Sequence, residues 1–304
     1  LKTFIKYFSL ISILYLIVHF LAEFISTNYV VNRTFNGCLE CHDEMIGFEE
    51  AHSTEKIGCD ACHLGNSKTV NEDLAHKGMI LIPGNLSDAQ QTCGVVGCHL
   101  GIPERINNSI MNTMSGVISV NRFAFDEIEK PEGYFNVKEL TQSNADNHNR
   151  NLCASCHLGN IKTEWGPIDE LSRGGGCNAC HLNYSKEAFD GLTKYLNSEN
   201  KKEDFPKVHP QLNLNVSNKH CFGCHSRSGR ISTNYEGWFE TLLNWEDVRN
   251  NKNYRQLLDG RVFQKAEEDI HHKAGMECID CHVSLEIMGD GNLYQHMDEQ
   301  LRVQ

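Results

Sequence analysis

Cys153-Ala-Ser-Cys156-His157 and, 24 residues on, Cys177-Asn-Ala-Cys180-His181 decide how this chain is read. In each, two cysteines a short turn apart are followed at once by a histidine. The pattern recurs at Cys38-Leu-Glu-Cys41-His42, Cys59-Asp-Ala-Cys62-His63, Cys221-Phe-Gly-Cys224-His225 and Cys278-Ile-Asp-Cys281-His282. A seventh copy, Cys93-Gly-Val-Val-Gly-Cys98-His99, is widened by two residues. Together the copies consume all 14 cysteines. Zinc sites also use paired cysteines, two pairs to a tetrahedral site. Seven pairs leave a remainder, and neither zinc nor disulfides explain a histidine after every pair. Covalent haem attachment explains both: the thiols add to the two vinyl groups, and the next residue supplies an axial imidazole. The expected cofactors are therefore seven c-type haems, with His42, His63, His99, His157, His181, His225 and His282 as proximal ligands.

Nine of the 16 histidines lie outside the motifs. His19 falls in an apolar stretch and reads as a membrane histidine. The other eight, His52, His76, His148, His209, His220, His271, His272 and His296, are the candidate distal ligands. His52 and His271 each precede a motif by seven positions, in similar segments; between His271 and His272 the sequence does not choose. So many spare imidazoles predict mostly bis-histidine irons, which favours electron transfer over catalysis. Met45, Met79, Met111 and Met114 are alternative ligands, for which core filling is the better reading. Arg227 and Arg230 are placed to pair with haem propionates, or else are a solvated pair.

The net charge of −12 argues against a nucleic-acid partner and suits docking to basic redox proteins. From Phe4 to Ile25 the chain is nearly continuously apolar, after Lys2 and Lys6. That predicts a transmembrane signal-anchor over residues 1–27, with the remainder on the periplasmic or extracellular side; a cleaved secretory signal is the alternative. Residues 28–304 are then an exported haem domain: haems I–III over 38–99, a haem-free insert over 101–152, haems IV–VI over 153–225, and a C-terminal segment with haem VII over 226–304. The expected fold is mainly α with much irregular loop, organised around stacked haems behind the N-terminal transmembrane helix. Ser143–Asn151 is polar and reads as loop. The stretch from Trp238 to Leu258 reads as amphipathic helix.

Two C-terminal stretches carry a family resemblance. Cys221-Phe-Gly-Cys-His-Ser-Arg-Ser-Gly-Arg-Ile-Ser232 runs on to Tyr235-Glu-Gly-Trp238. His271-His-Lys-Ala-Gly-Met-Glu-Cys-Ile-Asp-Cys-His282 is followed by Met288-Gly-Asp-Gly291. Both resemble large multihaem c-type cytochromes of anaerobic metal- or sulfur-respiring bacteria. The resemblance implies electron transfer, without enzyme activity, between the quinone pool or periplasmic carriers and another redox partner. Partners would be other cytochromes or a membrane quinol-oxidising complex, the lipid bilayer at the N-terminal helix, and further copies or subunits in an oligomer. In similar cytochromes the Met-Gly-Asp-Gly segment leads through a histidine to another motif. Here Tyr294 to Gln304 is all that follows, which predicts a piece of a longer protein, with His296 serving a haem held partly elsewhere. Two other functions compete. A multihaem reductase of nitrogen or sulfur oxyanions needs an iron with an open position, often marked by lysine in place of the motif histidine, and no motif is so altered. A filament-forming extracellular cytochrome would share ligands between subunits, which an anchor opposes.

Overall fold

The computed structural model describes Ser12, residues 15–20, 36–226 and 231–301, without the side chains of 231 and 232. The chain divides into two compact units, Leu1–Glu44 with Phe48–Met79, and Met45–Gly47 with Ile80–Gln304.

The first unit is built from short turns of helix pinned by asparagine caps. Asn36 accepts from the Cys38 N–H at the start of the helix Gly37–Cys41. Asn71 accepts from the Leu74 N–H at the start of Glu72–Ala75. Such caps satisfy amides that a helix this short leaves without partners. Gly37 is required by a close approach: its N–H reaches Ser67 O at 2.7 Å, and a Cβ there would sit 2.2 Å from Thr69 O.

In the second unit, Leu86, Ala89 and Ile106 are buried together, with Ile102, Leu158, Cys177 and Met288 packed against them. This core therefore gathers residues beside four motifs. Helix Ser115–Ala124 packs on helix Asn144–Leu152 through Arg122, whose Nε and Nη2 bond both carboxylate oxygens of the fully buried Asp146. Helix Lys186–Asn197 carries Tyr195, whose ring stacks on Trp165 and meets Phe205 edge-on. Strands β1 (Leu182–Asn183) and β2 (Gln211–Leu212) form a small antiparallel ladder. Strands β3 (Trp238–Thr241), β4 (Tyr254–Gln256) and β5 (Val262–Lys265) form an antiparallel sheet in the order β3-β5-β4. Phe263, at the centre of β5, is 1% exposed.

The expected architecture needs correction. Helix accounts for 39% and strand for 7%, in short pieces, with a three-stranded sheet where a helical organisation was expected. The second unit is centred on a side-chain core and this sheet, and no stack of haems is seen to organise it. Among the described residues no helix is long and apolar enough to cross a membrane, and the longest, Lys186–Asn197, has 12 residues. Most of Phe4 to Ile25 lies outside the described residues, where only Ser12 and 15–20 are seen as helical. The stretch from Trp238 to Leu258 is not one helix but β3, a turn of helix at Trp245–Val248, and β4. Cross-strand pairing with β5 overrides the helical periodicity there. Conversely, 144–152 is helix rather than loop: Ser143 caps it by accepting from the Asp146 N–H at 3.2 Å. Its polar Asp146 and Asn149 are buried, so composition concealed it.

Candidate haem-attachment sites

Each motif is a tight turn. In five of them the histidine N–H donates to the carbonyl of the first cysteine: His42 to Cys38 and His63 to Cys59 at 2.8 Å, His99 to Cys93 and His282 to Cys278 at 2.9 Å, His181 to Cys177 at 3.1 Å. The widened Cys93–His99 loop thus closes with the same bond as its shorter counterparts. Gly97, at φ +89, supplies the left-handed residue that a four-residue loop needs to return on itself. Thr92 holds its entry by donating to Pro83 O at 2.7 Å. The sixth motif lies on helix Asn218–His225. The fourth differs: Ala154–Cys156 is a 3-10 turn, and the His157 N–H reaches Ala154 O at 3.4 Å.

Motifs are also joined to one another within the second unit. The Cys177 N–H donates to Gly84 O at 2.8 Å, and the Gly176 N–H to Leu158 O at 3.1 Å, linking the fifth motif to the approach to the third and to the end of the fourth. Gly176 lies at φ +56, and a Cβ on it would be 2.3 Å from Gly84 O. Asn218 accepts from the Cys278 N–H at 2.8 Å, joining the sixth and seventh. Arg173 Nε donates to Gly223 O at 2.7 Å, inside the sixth.

The thiols respond to this crowding. Burial, with Cys38 alongside, pushes Cys59 up to about 11. Burial alone pushes Cys180 up to about 11. Cys177 beside Cys93, and Cys221 beside Cys278, share hydrogen bonds that raise one thiol of each pair and lower its partner. Cys224 is raised by Cys156 in the same way. A thioether has no proton to lose, so haem addition would remove the ionisation that burial opposes at these sulfurs.

Several histidines have one ring nitrogen fixed by a hydrogen bond, as metal-ligating imidazoles do. His157 Nδ1 donates to Ala154 O at 2.5 Å, and His181 Nδ1 to Asn213 O at 3.1 Å. His282 Nδ1 donates to Glu286 at 2.7 Å. Among the distal candidates, His209 Nδ1 donates to Pro210 O at 2.6 Å, whereas His220 Nδ1 accepts from the Ser217 N–H at 3.0 Å. His271 and His272, on helix Ile270–Lys273, bond Asp269 and Glu268 through Nδ1 at 2.9 and 2.5 Å. His296 is turned the other way, with Nε2 donating to Pro131 O. His76 stands opposite His42 with ring centroids 6.1 Å apart. Burial, then the charge of His76, lowers His42. Burial lowers His220 too, with His181 near enough to add to the shift. His148 packs its ring on Phe125 at 5.4 Å, with Nδ1 buried. His52 closes the 3-10 turn Glu50–His52. Arg227 and Arg230 lie outside the described residues. Met114 is buried, at 8% exposed, and fills core.

The donor set fits haem: paired thiols held in tight turns, several imidazoles fixed through Nδ1, and one imidazole pair at a spacing that accommodates a metal. A cavity of about 500 Å³ adjoins the fourth motif, lined by Ala154, Ser155 and His157 and by Lys138, Gln142 and Arg150. Lys138 and Arg150 escaped the sequence reading. Arg150 lies three residues before Cys153, but Lys138 carries no local signal and reaches the cavity only through the fold. No described group of His, Cys, Asp and Glu is preassembled as a site for a bare metal ion. Comparison with protein-family models, curated proteins and solved structures finds no match to this chain.

Proposed function

We propose that the chain is an exported c-type cytochrome that carries haem at all seven motifs and moves electrons between redox partners. One observation carries this reading: every cysteine belongs to a pair followed by histidine, and even the widened pair closes its turn as the shorter ones do. Bound haem would supply a reversible one-electron couple. The paired cysteines would hold the haem, and the motif histidines, three of them fixed by an Nδ1 hydrogen bond, would supply an imidazole to it. The acidic surface favours a basic partner by electrostatic attraction.

Intact mass of the purified protein is the test. Seven haem increments are expected, with peptide mapping placing one on each pair, including Cys93 and Cys98. An increment missing at several pairs, with free thiols in their place, overturns the reading. Reduction by dithionite with a full c-type absorption change, reversed by an oxidised cytochrome, is the expected redox behaviour.

A further inference from the structure

The fourth motif stands apart in two ways. It lacks the histidine-to-first-cysteine closure seen at five other motifs, and its His157 opens onto the 500 Å³ cavity. Every histidine of the chain lies among the described residues. His157 is the one histidine in its lining. His148, the nearest in sequence, faces elsewhere: it packs on Phe125, whereas Arg150, two residues further along the same helix, faces the cavity. Two helical residues are about 200° of rotation, which puts the two side chains on opposite faces.

The wall away from the motif sets the cations Lys138 and Arg150 beside apolar Val137 and Leu140. Lys138 sits in the turn Val137–Glu139, whose N-cap Asn136 accepts from the Lys138 N–H at 3.0 Å. Lys138 makes no ion pair among the described residues. Arg150 is tethered by Nη1 to Thr141 O at 2.7 Å, which fixes its guanidinium at the rim. Gln142 adds an amide.

We infer that the haem attached at Cys153 and Cys156 has His157 as its one protein ligand and takes a small inorganic anion at its other axial position, drawn in by Lys138 and Arg150. This rests on haem attachment at that motif. A cationic pocket with a free iron position selects anionic ligands over neutral ones, because the positive side chains raise the local anion concentration and lose nothing when a neutral ligand enters. The other motifs, fed by the spare histidines, keep saturated irons. The chain would then combine a set of carriers with one site at which electrons meet an exchangeable ligand.

The experiment uses the purified holoprotein. Ferric electron paramagnetic resonance is expected to show one high-spin haem per chain, and cyanide should convert it to low-spin with one equivalent bound. Lys138→Ala should weaken cyanide and nitrite binding about tenfold, while carbon monoxide binding to the reduced protein stays within about twofold. His148→Ala should leave the cyanide-responsive signal in place. Haem present on Cys153 and Cys156 with a wholly low-spin spectrum and no cyanide response overturns this inference alone. So does a native low-spin protein in which Lys138→Ala or His148→Ala creates the high-spin haem, since that residue would be the sixth ligand. A peptide carrying Cys153 and Cys156 without haem overturns the proposed haem attachment there as well.

Discussion

The rings of His42 and His76 lie with centroids 6.1 Å apart and planes tilted by 55°. Two metal–imidazole bonds of about 2 Å, with the inner half of each ring, span about 6 Å. The spacing matches what two imidazoles on one iron would need, and His42 is the histidine of the first motif.

His76→Ala should turn one haem of the holoprotein from low-spin to high-spin and raise its reduction potential, because a neutral imidazole donor is lost from the iron. Electron paramagnetic resonance with redox titration reads both changes. An unchanged spectrum would assign the first haem another ligand, with His52 in the same unit next in line.

The Arg122–Asp146 pair makes a stability prediction with a definite sign. The Arg122 hydrogen bonds, assisted by the Thr141 N–H and hydroxyl, hold the Asp146 carboxyl at about 2, below its usual 3.8. The folded state thus binds this proton more weakly than the unfolded state. The contribution is complete above about pH 4 and is lost as pH falls through about 2. Arg122→Leu leaves a buried charge without its partner and should cost about 3–5 kcal/mol. Thermal melts of Asp146→Asn should show a flatter decline than the parent protein between about pH 4 and 2.

Gly176→Ala should destabilise the second unit. The added Cβ meets Gly84 O at 2.3 Å, at a left-handed φ of +56. Backbone strain alone is worth about 1–3 kcal/mol. Gly191, in the interior of helix Lys186–Asn197, is the control: an added Cβ has nothing nearer than Pro206 Cβ at 4.0 Å. Alanine there should stabilise by about 0.5–1 kcal/mol through helix propensity. Chemical denaturation of the two variants should move in opposite directions.

Phe263→Ala probes the sheet. Phe263 is 1% exposed on the central strand, with Arg261 over its ring at 5.5 Å. Its removal should cost about 3–5 kcal/mol. Arg261 Nη1 donates to Ser226 O at 2.7 Å, directly after the sixth motif, so the loss should also perturb the haem absorption of that motif on heating. Thermal unfolding followed in the visible and far-ultraviolet reads the two effects side by side.

The motifs behind the proposed attachment were legible in the sequence because they are local. Two thiols and an imidazole within five to seven residues define the motif wherever the chain carries it, and turn geometry within the motif does the rest. Even the widened Cys93–His99 copy needs nothing remote to close. The distal side was only partly legible. Spare histidines can be counted, but which faces which depends on contacts across tens of residues: His76 meets His42, whereas His296 turns its Nε2 to Pro131.

Where periodicity and composition were the guide, tertiary contacts overruled them. The segment after Trp238 became strands because β5 offers it backbone partners, and the polar run after Ser143 became helix because Arg122 meets Asp146 beneath it. Lys138 and His157 share a cavity for the same reason, since nothing in the 18 positions between them signals their meeting. The sequence by itself determined where paired thiols and a following histidine stand together, through spacing within a single turn. Only the tertiary structure decided which imidazoles, charges and carbonyls converge on each motif, because those meetings are set by packing between segments distant in the chain.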